Sequence, residues 1–132
     1  MFVDSSAIVA ILAAEPEAAE LATRLETAPQ GLCAGHVILE SAMRLSTLLG
    51  LPPTTADELI TRLIRTAGIE VVPITEDIAH RAVAAFERYG KGRGSAANLN
   101  FGDCLSYACA QAHGAPLLFK GGDFTQTDIA RA

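Results

Sequence analysis

Short apolar runs alternate with longer stretches of helical periodicity along the whole chain. Met1-Phe2-Val3 is apolar and stops at Asp4, which reads as a buried strand ending on an acid. Ala7 to Ala14 follow as Ala, Ile, Val and Leu, a helix for Ser5 or Ser6 to cap. Pro16 opens a second helix in its first turn, and Glu17 to Thr27 carry it with Ala18, Leu21, Ala22 and Leu25 at helical spacing. After the turn Pro29-Gln30-Gly31, Leu32-Cys33-Ala34 is a second strand. His36 to Leu49 form a helix with Ile38, Leu39, Ala42, Leu45 and Leu49 on one stripe, and Gly50 stands where it should stop. Pro52-Pro53 break the chain, and Thr54 or Thr55 caps a helix running to Thr66.

Glu70–Pro73 reads as a third strand on its β-branched run, and Glu76 to Tyr89 as the next helix. Gly90-Lys91-Gly92-Arg93-Gly94-Ser95 is a flexible, basic loop. A helix from Gly102-Asp103 to His113 and an apolar strand, Leu117-Leu118-Phe119, complete the series. Strands alternating with amphipathic helices predict an α/β domain with a parallel central sheet and helices on both faces.

Length and composition narrow this picture. The 132 residues suit a single domain over 1–132, and a 50% hydrophobic content excludes a disordered chain. Ten Lys and Arg against 15 Asp and Glu give a net charge of −5, which excludes binding to nucleic acid through global positive charge. Without Trp, and with 5% aromatic residues, no broad base-stacking platform is expected. Cys33, Cys104 and Cys109 fit no metal-type spacing and read as buried thiols. Neither a signal peptide nor a membrane span is visible, so the expected setting is the cytoplasm.

Most acids lie on predicted helix surfaces, but four are placed differently. Asp4 ends the first strand, and ligands of open α/β sheets bind beyond the carboxyl ends of strands. Glu40 sits among Val37, Ile38, Leu39 and Met43, where burying a charge is costly unless it is paired or bound to a metal. Asp103 opens an apolar helix, a place that also suits an ordinary first-turn acid. Asp123 follows the last strand behind Gly121-Gly122, where a turn Asp is common. Converging at one sheet edge, four carboxylates would repel one another unless a hard divalent cation joined them. Such a centre, with Mg²⁺ or Mn²⁺, suits phosphodiester hydrolysis. Lys91, Arg93 and Lys120 are candidate contacts to the backbone of such a phosphodiester polyanion. His36, His80 and His113 read as structural or exposed.

These segments resemble a known family. Val3-Asp4-Ser5-Ser6-Ala7 is similar to the opening of PIN-domain ribonucleases, in particular the toxins of VapBC toxin–antitoxin modules. Glu40 stands where that family has its second acid. Leu99-Asn100-Phe101-Gly102-Asp103-Cys104 resembles its L-N-[FY]-G-D-C segment, and Leu117 to Phe124 with Thr127-Asp128-Ile129 resembles its ending. Gly122 departs from the Asn or other side chain many relatives carry. The resemblance implies a PIN-like three-layer α/β/α sandwich with four to five parallel strands. It implies a Mg²⁺- or Mn²⁺-dependent endoribonuclease, the toxin of a type II pair, acting on tRNA, rRNA or mRNA. Asp4, Glu40, Asp103 and Asp123 match the metal-binding acids, Ser6 the supporting hydroxyl, and Asp128 an outer acid. It further implies a VapB-type antitoxin and a homodimer, with apolar faces near Ala10–Ala14 and Leu45–Leu51 as candidate antitoxin grooves.

Three other readings compete. An aspartyl phosphatase wants a second Asp two residues after the first, where Ser6 stands. A receiver module wants an Asp after a middle strand, where Ile74-Thr75 stands. A non-catalytic PIN-like module binding RNA or protein remains the alternative.

Overall fold

The computed structural model describes residues 1–132. In chain order the elements are β1 (Phe2–Val3), α1 (Ser5–Leu12), α2 (Ala18–Thr27), β2 (Gly31–Ala34), α3 (Gly35–Leu49) and α4 (Pro53–Thr66). Then come β3 (Ile69–Val72), α5 (Glu76–Tyr89), α6 (Phe101–Ala112) and β4 (Leu117–Leu118). The four strands form one parallel sheet in the order β3-β2-β1-β4. With right-handed crossovers, the progression from β1 to β3 puts α1–α4 on one face. The reversal from β3 back to β4 puts α5 and α6 on the other, and the result is a three-layer α/β/α sandwich.

Central strands of such a sandwich are covered on both faces, which is why they read as unbroken apolar runs. Phe2 and Val3 of β1 and Leu32, Cys33 and Ala34 of β2 are accordingly buried at the sheet centre, Leu117 and Leu118 of the edge strand β4 are buried too, and Ile8, Val37, Leu45 and Ile60 belong to the same core. β3 pairs from Ile69 to Val72 with Gly31 to Ala34 of β2. It stops before Pro73, which has no N–H for the ladder, so the strand lies one residue earlier than the apolar pattern suggests.

Several helix starts also differ from the sequence reading. Asp4, not Ser5 or Ser6, caps α1. Pro16 precedes α2 altogether, and Glu17 is its N-cap. α4 begins at Pro53 itself rather than after Thr54 or Thr55, because proline suits the first helical position. Gly50 ends α3 in the left-handed conformation (φ 63°), as expected. The basic 90–95 loop is tied at its base, where Lys91 N–H donates to Leu99 O and Leu99 N–H to Tyr89 O. No helix is long and apolar enough to cross a membrane.

Candidate active site

The chain passes from β1 out to β3 on one side and returns to β4 on the other, so the order of strands reverses between β1 and β4. A crevice opens beyond the carboxyl ends of strands at such a switch point. Asp4 follows β1 directly, and the Lys120–Asp123 turn lies just beyond β4. Asp4 N–H donates to Leu118 O at 2.9 Å, which locks the two strand ends together. The start of α6 contributes Asp103, and α3, running out from the end of β2, contributes Glu40.

Asp4 is 3% exposed and held by three donors. Its Oδ2 accepts from Ser6 N–H at 2.9 Å and Ser6 Oγ at 2.7 Å, and its Oδ1 from Ser106 Oγ at 2.7 Å. Ser6 Oγ in turn accepts from Lys120 N–H at 3.0 Å. Asp103 occupies the third position of α6 in a capping box: Asp103 N–H donates to Asn100 Oδ1 and Asn100 N–H donates to Asp103 Oδ2, both at 2.9 Å. The ordinary first-turn role and a place in the acidic cluster are therefore both fulfilled by one residue. Glu40 lies over Gly102, so close that a Cβ on that glycine would stand 2.2 Å from Glu40 Oε2.

Asp4, Ser6, Glu40 and Asp103 line one pocket of about 250 Å³, together with Ser5, Glu15, Arg44, Asn100, Lys120 and Asp123. Five carboxylates face two cations there, and Lys120 is committed to Glu15 and, at 3.4 Å, to Glu17. Asp103 is pushed up to about 6 by burial and then by the charges of Asp4, Asp123 and Glu40, against the pull of the Asn100 hydrogen bond. Burial and the Asp4 charge also raise Glu40, while Ser5 and Arg44 pull it back. Oxygen donors that repel one another in a polar pocket with room for water are the donor set a hard divalent cation prefers. No three of the carboxylates are close enough to hold one ion directly. The arrangement fits a cation that takes one or two carboxylates and keeps its waters, as Mg²⁺ does.

A family model described as PIN domain matches residues 1–130. Ribonuclease VapC30 of Mycobacterium tuberculosis is 40% identical over 130 residues, spanning 98% of this chain and 96% of the relative. The chain belongs to the PIN-domain family, on its VapC branch. The fold agrees with solved structures. The crystal structure of Mycobacterium tuberculosis VapC20, a Sarcin-Ricin loop cleaving toxin, superposes with a TM-score of 0.78 at 19% identity, covering 99% of this chain and 97% of that one. A toxin–antitoxin complex from Klebsiella pneumoniae superposes at 0.69 with 20% identity, covering 96% and 92%.

This PIN domain thus brings Asp4, Ser6, Glu40, Asp103, Asp123 and Lys120 to one pocket, while the other residues singled out in the sequence lie elsewhere. Asp128 accepts from Tyr107 Oη at 2.6 Å and from Arg88 at 3.4 Å, outside the pocket lining. Lys91 lines an apolar groove between α5 and α6 with Ile74, Val83, Phe86 and Phe101, and Arg93 lies over the Phe86 ring. Of the faces suggested as antitoxin grooves, Ala10 and Leu45 are buried, while Leu48 and Leu49 are exposed. Further exposed apolar surface is found at Leu39 and Met43 of α3 and around Phe101. The sequence reading missed Glu15, Arg44 and Asn100 in the pocket and Ser106 behind Asp4. Glu15 carried a signal as an acid in the break between two helices, and Asn100 as part of the Leu99–Cys104 segment. All three cysteines are free and buried, and burial lifts the Cys33 and Cys109 thiols to about 11.

Proposed function

We propose that residues 1–132 act as one PIN-like domain, a metal-dependent endoribonuclease that serves as the toxin of a type II toxin–antitoxin pair in the cytoplasm. The observation that carries this reading is the mutual repulsion of Asp4, Glu40, Asp103 and Asp123 in one polar pocket at the switch point. Asp4, Glu40, Asp103 and Asp123 would hold Mg²⁺ or Mn²⁺, directly or through water. Such a cation supplies Lewis-acid polarisation of a phosphoryl oxygen and lowers the pKa of water.

The chain's own residues do the rest. Three accepted hydrogen bonds occupy most of the lone-pair sites of Asp4 and hold its carboxylate fixed. Ser6 orients it from the pocket side. Arg44 and Lys120, the two cations of the pocket lining, would meet RNA phosphates, Lys120 by exchanging its contacts with Glu15 and Glu17, and Lys91 and Arg93 would meet more distant ones. No histidine lines the pocket, so carboxylates are the proton acceptors available to a water attacking the phosphodiester.

Partners follow from the VapC relatives and from the exposed apolar surface. A VapB-type antitoxin and a second copy of the chain are the protein partners, and Leu39, Met43, Val83, Phe86 and Phe101 are the side chains such partners would cover. RNA (tRNA, rRNA or mRNA) is the substrate. Metal-dependent cleavage of RNA by partner-free protein, lost in Asp4→Asn, tests the reading. Intact RNA under every metal condition would instead support the non-catalytic binding module.

A further inference from the structure

Asp4 is supported from two sides, and one support comes from the core rather than the pocket. Ser106 lies on α6, is fully buried, and its Oγ is 2.7 Å from Asp4 Oδ1. A hydroxyl carries one proton, and Ser106 donates it to Asp4 Oδ1. Ser106 then has only lone pairs for its other neighbour, His36 Nε2, at 3.0 Å. His36 must therefore donate through Nε2–H, which leaves Nδ1 a bare acceptor. Nδ1 is indeed buried without a partner, so a proton there would have no acceptor. Phe2 stacks on the imidazole with ring centroids 6.3 Å apart and planes 11° from parallel, which fixes the plane of the ring.

We propose that Ser106, oriented by His36, is a positioning residue that fixes the Asp4 carboxylate for cation binding. Direction is what the chain His36 → Ser106 → Asp4 adds. Without His36, the Ser106 hydroxyl could turn away from the carboxylate. Without Ser106, Oδ1 would lose its only donor and the carboxylate could rotate on the Ser6 side alone. Neither His36 nor Ser106 lines the pocket, so both act through Asp4. This inference rests on the metal-site reading above. Outer hydrogen-bond partners of metal-binding carboxylates commonly contribute about 10–100-fold in metal affinity.

The test pairs Mn²⁺ titration calorimetry with ¹⁵N spectra of the His36 ring on the full chain. The native ring should show the neutral Nε2–H tautomer in the absence of metal. Ser106→Ala should weaken Mn²⁺ about 10-fold or more at a temperature where the variant is fully folded. His36→Phe, which keeps the stack on Phe2, should weaken it in the same direction, and His36→Gln, which keeps an N–H, should stay near native. The Ser106→Ala/His36→Phe double variant should match Ser106→Ala, because His36 acts only through Ser106. An Nδ1–H tautomer, native affinity in Ser106→Ala, or additive losses in the double variant would each overturn the proposal alone. Failure of the native protein to bind Mn²⁺ would overturn the metal-site reading and this inference with it.

Discussion

Gly102→Ala should separate the position of Glu40 from the stability of the fold. Gly102 is the second residue of α6, with an ordinary negative φ, so alanine strains no backbone there. Alanine is also the better helix former, by up to about 1 kcal/mol. The new Cβ would stand 2.2 Å from Glu40 Oε2 and 3.0 Å from Cδ, where contacts below 3.4 Å are already tight. The carboxylate must therefore retreat by about 1 Å, and a flexible glutamate can do so without moving its helix. A misplacement of that size in a catalytic constellation can cost about 10²-fold in rate. Cleavage of a fluorogenic RNA at saturating Mn²⁺ should fall by about that factor while Tm holds or rises. Gly35→Ala, where a Cβ meets nothing within 4 Å, is the control and should leave both unchanged. A native rate in Gly102→Ala would refute the idea that the site depends on where Glu40 stands. A lost rate accompanied by a collapsed Tm would show that the glycine serves the fold instead.

Other outcomes follow from the same geometry. Asp103 holds its proton more tightly folded than unfolded, so it lowers stability as pH rises from the ordinary 3.8 through about 6. In EDTA, Asp103→Asn should therefore melt several degrees higher than native at pH 7, with the difference vanishing below pH 4 in scanning calorimetry. Because ligand carboxylates must ionise, native Mn²⁺ affinity should fall as pH drops through about 6. Asp128→Ala strands the Tyr107 hydroxyl, itself on a buried residue, and should cost about 1–3 kcal/mol in urea unfolding while leaving Mn²⁺ affinity intact. Lys120→Ala should raise KM for RNA with little change in kcat, since its backbone N–H still holds Ser6.

The apolar runs made β1, β2 and β4 legible, because strands covered on both faces must be apolar throughout, whereas β3, with Glu70 and Val71 exposed, was legible from its β-branched residues. Asp4 was legible as a strand-end acid, and Glu40 as a charge among apolar neighbours that a core would not accept unaided. What the pattern could not show was how backbone and site share the same side chains. Asp4 displaces Ser5 and Ser6 as the cap because its carboxylate reaches Ser6 N–H, and Asp103 serves its helix while facing the cluster. Gly102 carried no periodicity signal, since its role is a space for Glu40. Ser106 and His36 are 70 residues apart and meet only when α6 packs against α3. Lys91 and Arg93 were grouped with the site on charge alone, yet the pinned loop carries them to the α5–α6 groove.

The most direct test of the central claim is RNA cleavage by purified, partner-free protein with Mg²⁺, with Mn²⁺ and with EDTA, alongside Asp4→Asn. The account predicts fragments from structured cellular RNAs with either metal, and none with EDTA or in the variant. Cleavage that persists in Asp4→Asn or in EDTA, or native protein that neither cleaves RNA nor binds a divalent ion by calorimetry, would contradict it.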